Sequence, residues 1–434
     1  MKAHAHSSKS VDRNSGAFEL RLRATKNLPA KETKDTMTSE TKIVICGAGI
    51  GGLTAALALH QRGFDVTVYE QAEELSEVGA GLQLGANAVR VLFSLGLEER
   101  LMTRASIPGE KQVRLWNTGK AWKLFDLGPV SEELYGFPYL LMHRADLHDE
   151  LRASFEDAAP GRLVLGKRLS SIVEQGPHVQ LRFQDGTCTA PDVVVGADGV
   201  HSVVRAELFG GSDPKFSGCV AWRGVVPASD LPEHLRLPIG TNWIGPHGHV
   251  IQYPLRRGEL INFVGIVERD DWDVESWTAL GDVDELAADF TGWHEDVSTI
   301  IRSLDKPMKW ALKLRPTMTS WSTSRVTLIG DACHPTLPFL AQGAGMAIED
   351  GLVLARALEK YRDSAEAFAA YERARLARTT AVVDGSAANV GRFHNPLLSD
   401  PDRADQYVAD EWSKEKVSQR YQWLFEYNAL EAEV

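Results

Sequence analysis

The sequence predicts an α/β fold: a parallel sheet wound with helices, a second, antiparallel sheet inserted into it, and a helical C-terminus. Three observations predict it. A β-branched run, TKIVICG (Thr41–Gly47), leads straight into a glycine-rich turn, a helical pattern and a second strand. Two later hydrophobic runs, in DVVVGADG (192–199) and SRVTLIGD (324–331), end in similar Gly/Asp turns. From Gly210 to Pro316 the pattern changes to strand-like runs rich in aromatics, and from Leu352 apolar residues recur at helical spacing.

The first element carries the most information. After TKIVICG comes GAGIGG, with Gly47, Gly49 and Gly52 on the GxGxxG spacing and Gly51 between them. A helix follows through LTAALALHQRG, and the strand DVTVYE ends at Glu70, next to Gln71. This is a complete Rossmann-type βαβ unit with an acid about 20 residues on, as a dinucleotide ribose requires. Gly47 permits the tight turn, Gly49 lets the backbone approach a pyrophosphate, and Gly52 lets helix pack on strand. Free N–H groups at the helix start then face the phosphates. Glu70 is suited to ribose hydroxyls and disfavours a ribose phosphate. A glycine-rich turn in an ordinary α/β core would leave Glu70 as coincidence. The motif alone does not separate NAD from FAD.

The 434 residues are 44 % hydrophobic, enough for a large core and two or three domains. A net charge of −12 argues against nucleic acid as a partner. Cys46, Cys188, Cys219 and Cys333 form no CxxC pair and no cluster with histidines, so no metal is expected and a reduced, cytoplasmic setting is. No apolar run is long enough to span a bilayer. Residues 1–36 are polar and mixed in charge and read as a disordered leader, or as sequence upstream of a working start at Met37.

Ligands of open parallel sheets sit beyond the carboxyl ends of strands, and Asp331 stands at such an end. The stretch GDACHPTLPFLAQGAGMAIED (330–350), the central ADG with Ser202 and Arg205 after it, HRADL (143–147) and EVGAGLQLGAN (77–87) together resemble the flavoprotein aromatic hydroxylases. These are single-component, FAD-dependent monooxygenases of the para-hydroxybenzoate hydroxylase-like fold. The resemblance runs from about Thr41 to Arg378. It implies FAD as tightly bound cofactor, with Arg144 beside it, Asp331 on its ribityl and pyrophosphate region, and Pro335 shaping the turn beside the ring. Gly343, Ala344 and Gly345 then lie at a helix start facing the flavin, where the positive end of the helix stabilises reduced flavin by up to ~1–2 kcal/mol. The segment from Glu77 to Asn87 passes over the ring. Cys333 and His334 read as structural. The implied domains are 37–115, 140–212 and 316–375 for FAD, 116–139 and 213–315 for substrate, and 376–434 as a helical tail suited to packing or a homodimer surface.

The resemblance also implies the reaction. NADH or NADPH, visiting transiently because only one fingerprint is present, reduces FAD; oxygen is then inserted into an aromatic ring through a flavin hydroperoxide. Electrophilic transfer favours a phenolate, so a base is needed near the substrate and water must be kept out. His249, in GPHGHVIQYPL, shares a strand face with Ile251 and Tyr253 by the period-two rule. This segment resembles 3-hydroxybenzoate 6-hydroxylase, salicylate hydroxylase and 6-hydroxynicotinate 3-monooxygenase, which makes His249 the candidate base and Tyr253 a candidate substrate contact. An edge-strand histidine capped by an acid is the plainer alternative, and His247 competes. Arg223 either meets a substrate carboxylate or faces solvent. Gln83, Pro338 and Phe339 stand where the relatives place substrate residues. The 3-hydroxybenzoate enzymes have glutamine in place of Pro338, and the 6-hydroxynicotinate enzymes have histidines in place of Gln83 and Phe339. Leu337, Phe339 and Leu340 suit a benzenoid acid, and salicylate-type chemistry is the expectation. A flavin dehydrogenase or oxidase without oxygen insertion, a non-catalytic flavoprotein and an NAD-dependent dehydrogenase are the rival classes.

Overall fold

Strands that are apolar on both faces belong inside a parallel sheet covered by helices. The computed structural model, which describes residues 41–434 apart from 76–79, 212, 273 and 275–278, builds that sheet from five strands. Their order is Leu163–Val164, Asp65–Tyr69, Lys42–Cys46, Val193–Gly196 and Val326–Leu328, all parallel. Ile43, Ile45, Val194 and Val195 at its centre are at most 1 % exposed. The helix Ile50–His60 is buried along nearly its whole length and packs against the helix Gly343–Lys360. The leader expected over 1–36 and positions 77–79 of the expected flavin loop lie outside the described residues.

The second sheet has seven strands, in the order Met308–Leu314, Lys215–Pro227, Leu260–Glu268, Gly248–Leu255, Ile239–Gly245, Glu110–Leu115 and Ala121–Asp126. The three runs read from sequence are neighbours here and are antiparallel, with His249 opposite Ile266 and Arg223 opposite Val264. One pair differs from the expected pattern: Glu110–Leu115 lies parallel to Ile239–Gly245. Its sequence, EKQVRL, alternates as a half-buried strand should, but no turn links it to its partner, so local pattern does not announce the pairing. It comes from the part of the chain assigned to FAD, before a boundary expected at 115. A short ribbon, Gly81–Leu84 with Leu140–His143, touches this sheet: the Gly81 amide donates to Asn262 Oδ1 at 2.7 Å.

The tail is helical, with Ser364–Phe393, Pro401–Glu411 and Lys414–Glu426. The first starts at an Asp363 cap that accepts from the amides of Ala365 and Glu366, and it runs unbroken through position 376. Among the described residues no helix is long and apolar enough to cross a membrane.

One buried cluster ties these parts together. Asp350, in the helix Gly343–Lys360, accepts from the Gly330 amide at 2.9 Å, from His334 Nε2 at 2.7 Å and from Arg375 Nε at 2.7 Å. Its neighbour Glu349 accepts from Arg378 and from Asn87. Burial alone would raise the Asp350 carboxyl; His334 and Arg375 outweigh it and hold it at about 2. Asp350→Ala leaves a buried histidine and arginine short of a counter-charge and is expected to cost about 3–5 kcal/mol, measured by urea unfolding at neutral pH. Because the folded pKa is depressed, this contribution is present above the ordinary 3.8 and is lost as pH falls toward about 2.

Candidate active site

The nucleotide end is built by the first strand and its turn. Gly47 has φ +110°, and a Cβ there would lie 2.4 Å from the Ala197 carbonyl oxygen. A Cβ on Gly52 would lie 2.0 Å from the Gly47 oxygen, so turn and helix cannot pack this closely with any other residue. At Gly49 nothing lies within 4 Å of such an atom. This is open room beside a helix whose N-cap, Gly49, supplies no side-chain acceptor. Gly51 lies in the first turn of that helix. Glu70 is held by the Ala48 amide at 2.8 Å and the Ala72 amide at 2.9 Å, one on each carboxylate oxygen. Each oxygen keeps a lone pair for a ribose hydroxyl. Gln71 beside it is exposed.

The middle of the site is the turn after Val326–Leu328. Asp331 is exposed to a cleft although dense protein surrounds it, and that surrounding pushes its carboxyl up. Arg205 reaches the turn from the central ADG segment and donates to the Ala332 carbonyl at 2.9 Å. One cavity is lined by Asp331, Arg144, Gly343 and Ala344 on this side and by Gln83, Arg223, Tyr253 and Pro338 on the other. Pro335 lines an adjoining cavity that shares Arg223, Asp331 and Pro338. The helix Gly343–Lys360 starts at Gln342 without a side-chain cap, since Gln342 Oε1 is taken by Asn87 Nδ2 at 2.9 Å. Gly345 follows in its first turn. Two uncapped helix starts, the open space at Gly49 and an acid at a strand end fit a flavin dinucleotide.

The far wall is the seven-stranded sheet. Strand register sets Arg223, Val264 and Ile251 in one row, and all three line the cavity with Tyr253 and Ile266. Arg223 therefore faces the cavity instead of bulk solvent, and its guanidinium lies 4.4 Å from the Trp310 ring. Burial pushes it down to about 10, which keeps it cationic at neutral pH. Burial, only partly offset by Arg223, pushes the Tyr253 phenol up, so it stays protonated and can donate. Gln83 Oε1 accepts from both Lys111 Nζ at 3.2 Å and the Tyr139 hydroxyl at 2.7 Å. That fixes its amide orientation and leaves the –NH₂ group to face the cavity.

Two expected residues lie one step back. Neither Phe339 nor His249 lines the cavity. Phe339 is buried against the His249 ring, with centroids 5.2 Å apart. His249 is 0 % exposed, on the strand face of Ile251 and Tyr253, and its Nε2 is buried with no hydrogen-bond partner among the described residues. Its Nδ1 lies 2.7 Å from His394 Nε2, and His394 Nδ1 lies 3.0 Å from Glu268 Oε1. His247 does not compete for this place: its φ of 62° puts it in the turn before the strand, where it bonds Glu268 Oε2 at 2.8 Å. The tail, read from sequence as packing or dimer surface, thus also supplies His394 to the site. His394, Glu268, Lys111 and Tyr139 had no local signal; each reaches its partner through the fold.

Fold and site together define a class: a dinucleotide-dependent oxidoreductase whose substrate chamber lies under a separate sheet. Comparison with known proteins narrows it. The FAD binding domain family matches residues 40–386. A 3-amino-4-hydroxybenzoate 2-monooxygenase of Streptomyces platensis is 41 % identical over 360 residues, covering 83 % of this chain and 90 % of that protein. A 6-hydroxynicotinate 3-monooxygenase of Pseudomonas fluorescens is 36 % identical over 351 residues, covering 80 % and 90 %. The solved substrate complex of a salicylate hydroxylase matches with a TM-score of 0.74 at 26 % identity, covering 90 % of this chain and 96 % of that one. The chain belongs to the FAD binding domain family of flavin-dependent aromatic monooxygenases.

Asp331→Ala removes a charged acceptor from the flavin side of the cavity. A hydrogen bond to a charged group is worth about 1.5–3 kcal/mol, so FAD affinity should fall roughly 10- to 100-fold. The measurement is flavin absorbance retained through purification, followed by titration of the stripped protein with FAD.

Proposed function

We propose that the protein hydroxylates a small phenolic aromatic acid, with FAD as resident cofactor and NADH or NADPH and O₂ as co-substrates. The observation that carries this reading is one cavity in which Asp331 and the Gly343–Ala344 helix start face a cation and a phenol on the seven-stranded sheet and the Gln83 amide on the Gly81–Leu84 ribbon. When bound, FAD supplies the two-electron chemistry and the activation of oxygen. Glu70 would hold its ribose, and Gly47, Gly49, Gly51 and Gly52 its pyrophosphate. Asp331 would hold the ribityl chain. Gln71 and Arg144 would flank the cofactor, and Pro335 would shape the turn beside the ring. The amides of Gly343, Ala344 and Gly345 would stabilise negative charge on the ring system.

The substrate side follows from charge and hydrogen-bond inventory. Arg223 pairs with the carboxylate of the aromatic acid. Tyr253 and the Gln83 amide donate to its oxygens. His249, one step behind the cavity wall, has a buried Nε2 with no hydrogen-bond partner among the described residues, and in this reading it takes the phenolic proton and leaves the electron-rich phenolate that oxygen transfer needs. Ile251, Val264, Leu337 and Pro338 provide an apolar wall that limits water. That wall favours a benzenoid ring over a polar pyridine. Among relatives, the most similar named above acts on 3-amino-4-hydroxybenzoate, which makes this ring the first candidate and salicylate the second. The buried Cys46, Cys219 and Cys333 and the exposed Cys188, all free thiols, suit a reduced cytoplasm, and a homodimer through the tail remains part of this reading.

The test is NADH and NADPH consumption by the FAD-loaded protein with 3-amino-4-hydroxybenzoate, salicylate, 3- and 4-hydroxybenzoate, gentisate and 6-hydroxynicotinate. Stimulation by a benzenoid acid, with one ¹⁸O from labelled O₂ in the product, is the expected result; stimulation without incorporation would mean a dehydrogenase or oxidase. His249→Ala should keep FAD and NAD(P)H oxidation but lower hydroxylation about 10²–10⁴-fold, with hydrogen peroxide replacing product. Coupled turnover in that variant would remove His249 from the mechanism. Burial, and then His394, hold the His249 imidazole well below its ordinary 6.5. The groups behind it are His394 at the end of the long tail helix and, beyond that, Glu268 and His247. A base must be neutral to accept a proton, so the acidic limb of kcat/KM should lie below pH 6.5, measured between pH 5 and 8.

A further inference from the structure

His249 is enclosed, yet a base that takes a proton from each substrate must pass that proton on. A continuous chain of hydrogen bonds leads away from it. His249 Nδ1 meets His394 Nε2 at 2.7 Å, His394 Nδ1 meets Glu268 Oε1 at 3.0 Å, and Glu268 Oε2 meets His247 Nδ1 at 2.8 Å. Exposure rises along it: His249 is 0 % exposed, the His394 side chain 1 %, Glu268 38 % and His247 70 %. The four groups come from the strand Gly248–Leu255, the end of the tail helix, the end of the strand Leu260–Glu268 and the turn at His247.

The chain also has a direction. A carboxylate only accepts, so His394 Nδ1 carries the hydrogen that Glu268 receives. In the neutral ring His394 Nε2 is then an acceptor, and His249 Nδ1 must donate to it. That leaves the lone pair of His249 on Nε2, the atom that has no partner among the described residues and that a substrate hydroxyl needs. Burial, against an opposing pull from Glu268, holds His394 below its ordinary 6.5, which keeps the ring neutral at physiological pH. Phe339 and Phe393 cover His249, and Phe339 also flanks His394.

We infer that His394 and Glu268, with His247 holding the outer carboxylate oxygen, form a proton relay that fixes His249 as a base at Nε2 and carries the substrate's phenolic proton from the cavity to solvent; this rests on the reading of His249 as the base. The steps balance. The substrate O–H breaks as His249 Nε2–H forms. His249 Nδ1–H breaks as His394 Nε2–H forms. His394 Nδ1–H breaks as a proton joins Glu268, which releases it to water. One proton leaves and no electrons move. The path run backwards returns a proton to the product and restores both resting tautomers. His394 and Glu268 act through His249 and are positioning and relay groups; neither touches substrate.

Two measurements on the FAD-loaded protein test this. The first needs no substrate: ¹⁵N-histidine NMR at pH 7.5, with His249 and His394 assigned by single substitution. Both rings should carry hydrogen on Nδ1; a His249 ring with hydrogen on Nε2 would overturn the relay. The second is stopped-flow mixing with 3-amino-4-hydroxybenzoate in weak buffer containing a pH indicator. The native protein should ionise the ligand and release close to one proton in a fast phase. Glu268→Gln, which keeps a hydrogen-bond acceptor but takes no proton, should slow that phase tenfold or more, as should His394→Phe. Both should approach the native rate once the pH exceeds the ligand's own phenol pKa, because the ligand then arrives ionised. A merely structural role would not produce that pH-dependent recovery. Unchanged proton release in both variants would overturn the relay. A native protein that binds the ligand and releases no proton would instead overturn the reading of His249 as base, and the relay with it.

Discussion

The site depends on how one buried carboxylate is neutralised. Asp350 has no exposed side-chain surface, and neither does Arg375. An isolated charge there would be prohibitively costly, so each of its partners is held in place by the need to satisfy it. Those partners come from different parts of the chain: the amide of Gly330, the imidazole of His334 and the guanidinium of Arg375 in the next helix. Gly330 and His334 bracket Asp331, so satisfying Asp350 fixes both ends of the turn that presents Asp331 to the cleft. Asp350 also lies about two helical turns from Gly343, so the same bonds fix where that uncapped helix start points. A turn and a helix terminus that must both meet one cofactor are thereby referenced to a single atom group. A buried ion pair adds little net stability over a well-packed apolar core. Its use here is specification of geometry, which apolar contacts alone do loosely.

The second sheet meets this turn across the cavity, and the tail clamps the two together. Ser386 donates to the Leu337 carbonyl at 2.5 Å and Asn389 donates to the Phe339 carbonyl at 3.1 Å, both from the helix Ser364–Phe393. These side chains satisfy carbonyls of the loop over 337–339, the Leu337 carbonyl also accepting from the Thr336 hydroxyl at 3.3 Å. Eight residues beyond Ser386 the same stretch delivers His394 to His249. One helix therefore positions the apolar wall of the cavity and the first partner behind His249, the proposed base. The polar residues on this helix are those that a plain packing surface would not need.

Local period made the scaffold legible, and non-local pairing hid the rest. The strand–GxGxxG–helix–strand–Glu70 unit was readable because every part lies within one short segment and each has a separate steric or electrostatic reason. His249, Ile251 and Tyr253 were placed on one face by strand alternation alone, and they share it. Arg223 was undecided between cavity and solvent, because a period of two says which residues share a face and not which face is inward. Phe339 was read as a substrate neighbour, but it lies behind Leu337 and Pro338 against His249. His394 was invisible, since 145 residues separate it from His249 and neither flank carries a motif. Lys111 was hidden in the strand Glu110–Leu115, whose parallel pairing lacks a hairpin to announce it. The DGS triplet at 384–386 looks like a helix breaker, yet the helix continues because Ser386 spends its hydroxyl on the turn and the neighbouring Val382 and Val383 are buried.

Hydroxylation places two opposed demands on such a chamber. Water competes with the aromatic ring for the reactive oxygen, so the wall beside the ring is best apolar, and Ile251, Val264, Leu337 and Pro338 supply that part of the lining. The ring must also lose a proton before it reacts, and a proton crosses an apolar wall only along hydrogen-bonded groups. A water channel would meet the second demand by violating the first. Two hydrogen-bonded imidazoles, tilted 45° to each other, suit both in the proposed relay, because each ring can accept a proton on one nitrogen and give one up on the other without admitting solvent. The depressed basicity of His249 and His394 belongs to the same solution. Burial keeps both rings neutral at rest, as the proposed relay requires. Glu268, partly exposed and shared between His394 and His247, is where the dry path meets water. The apolar wall and the proposed proton path thus lie in different directions from the cavity, one toward the turn that Asp350 anchors and one along the row of groups behind His249.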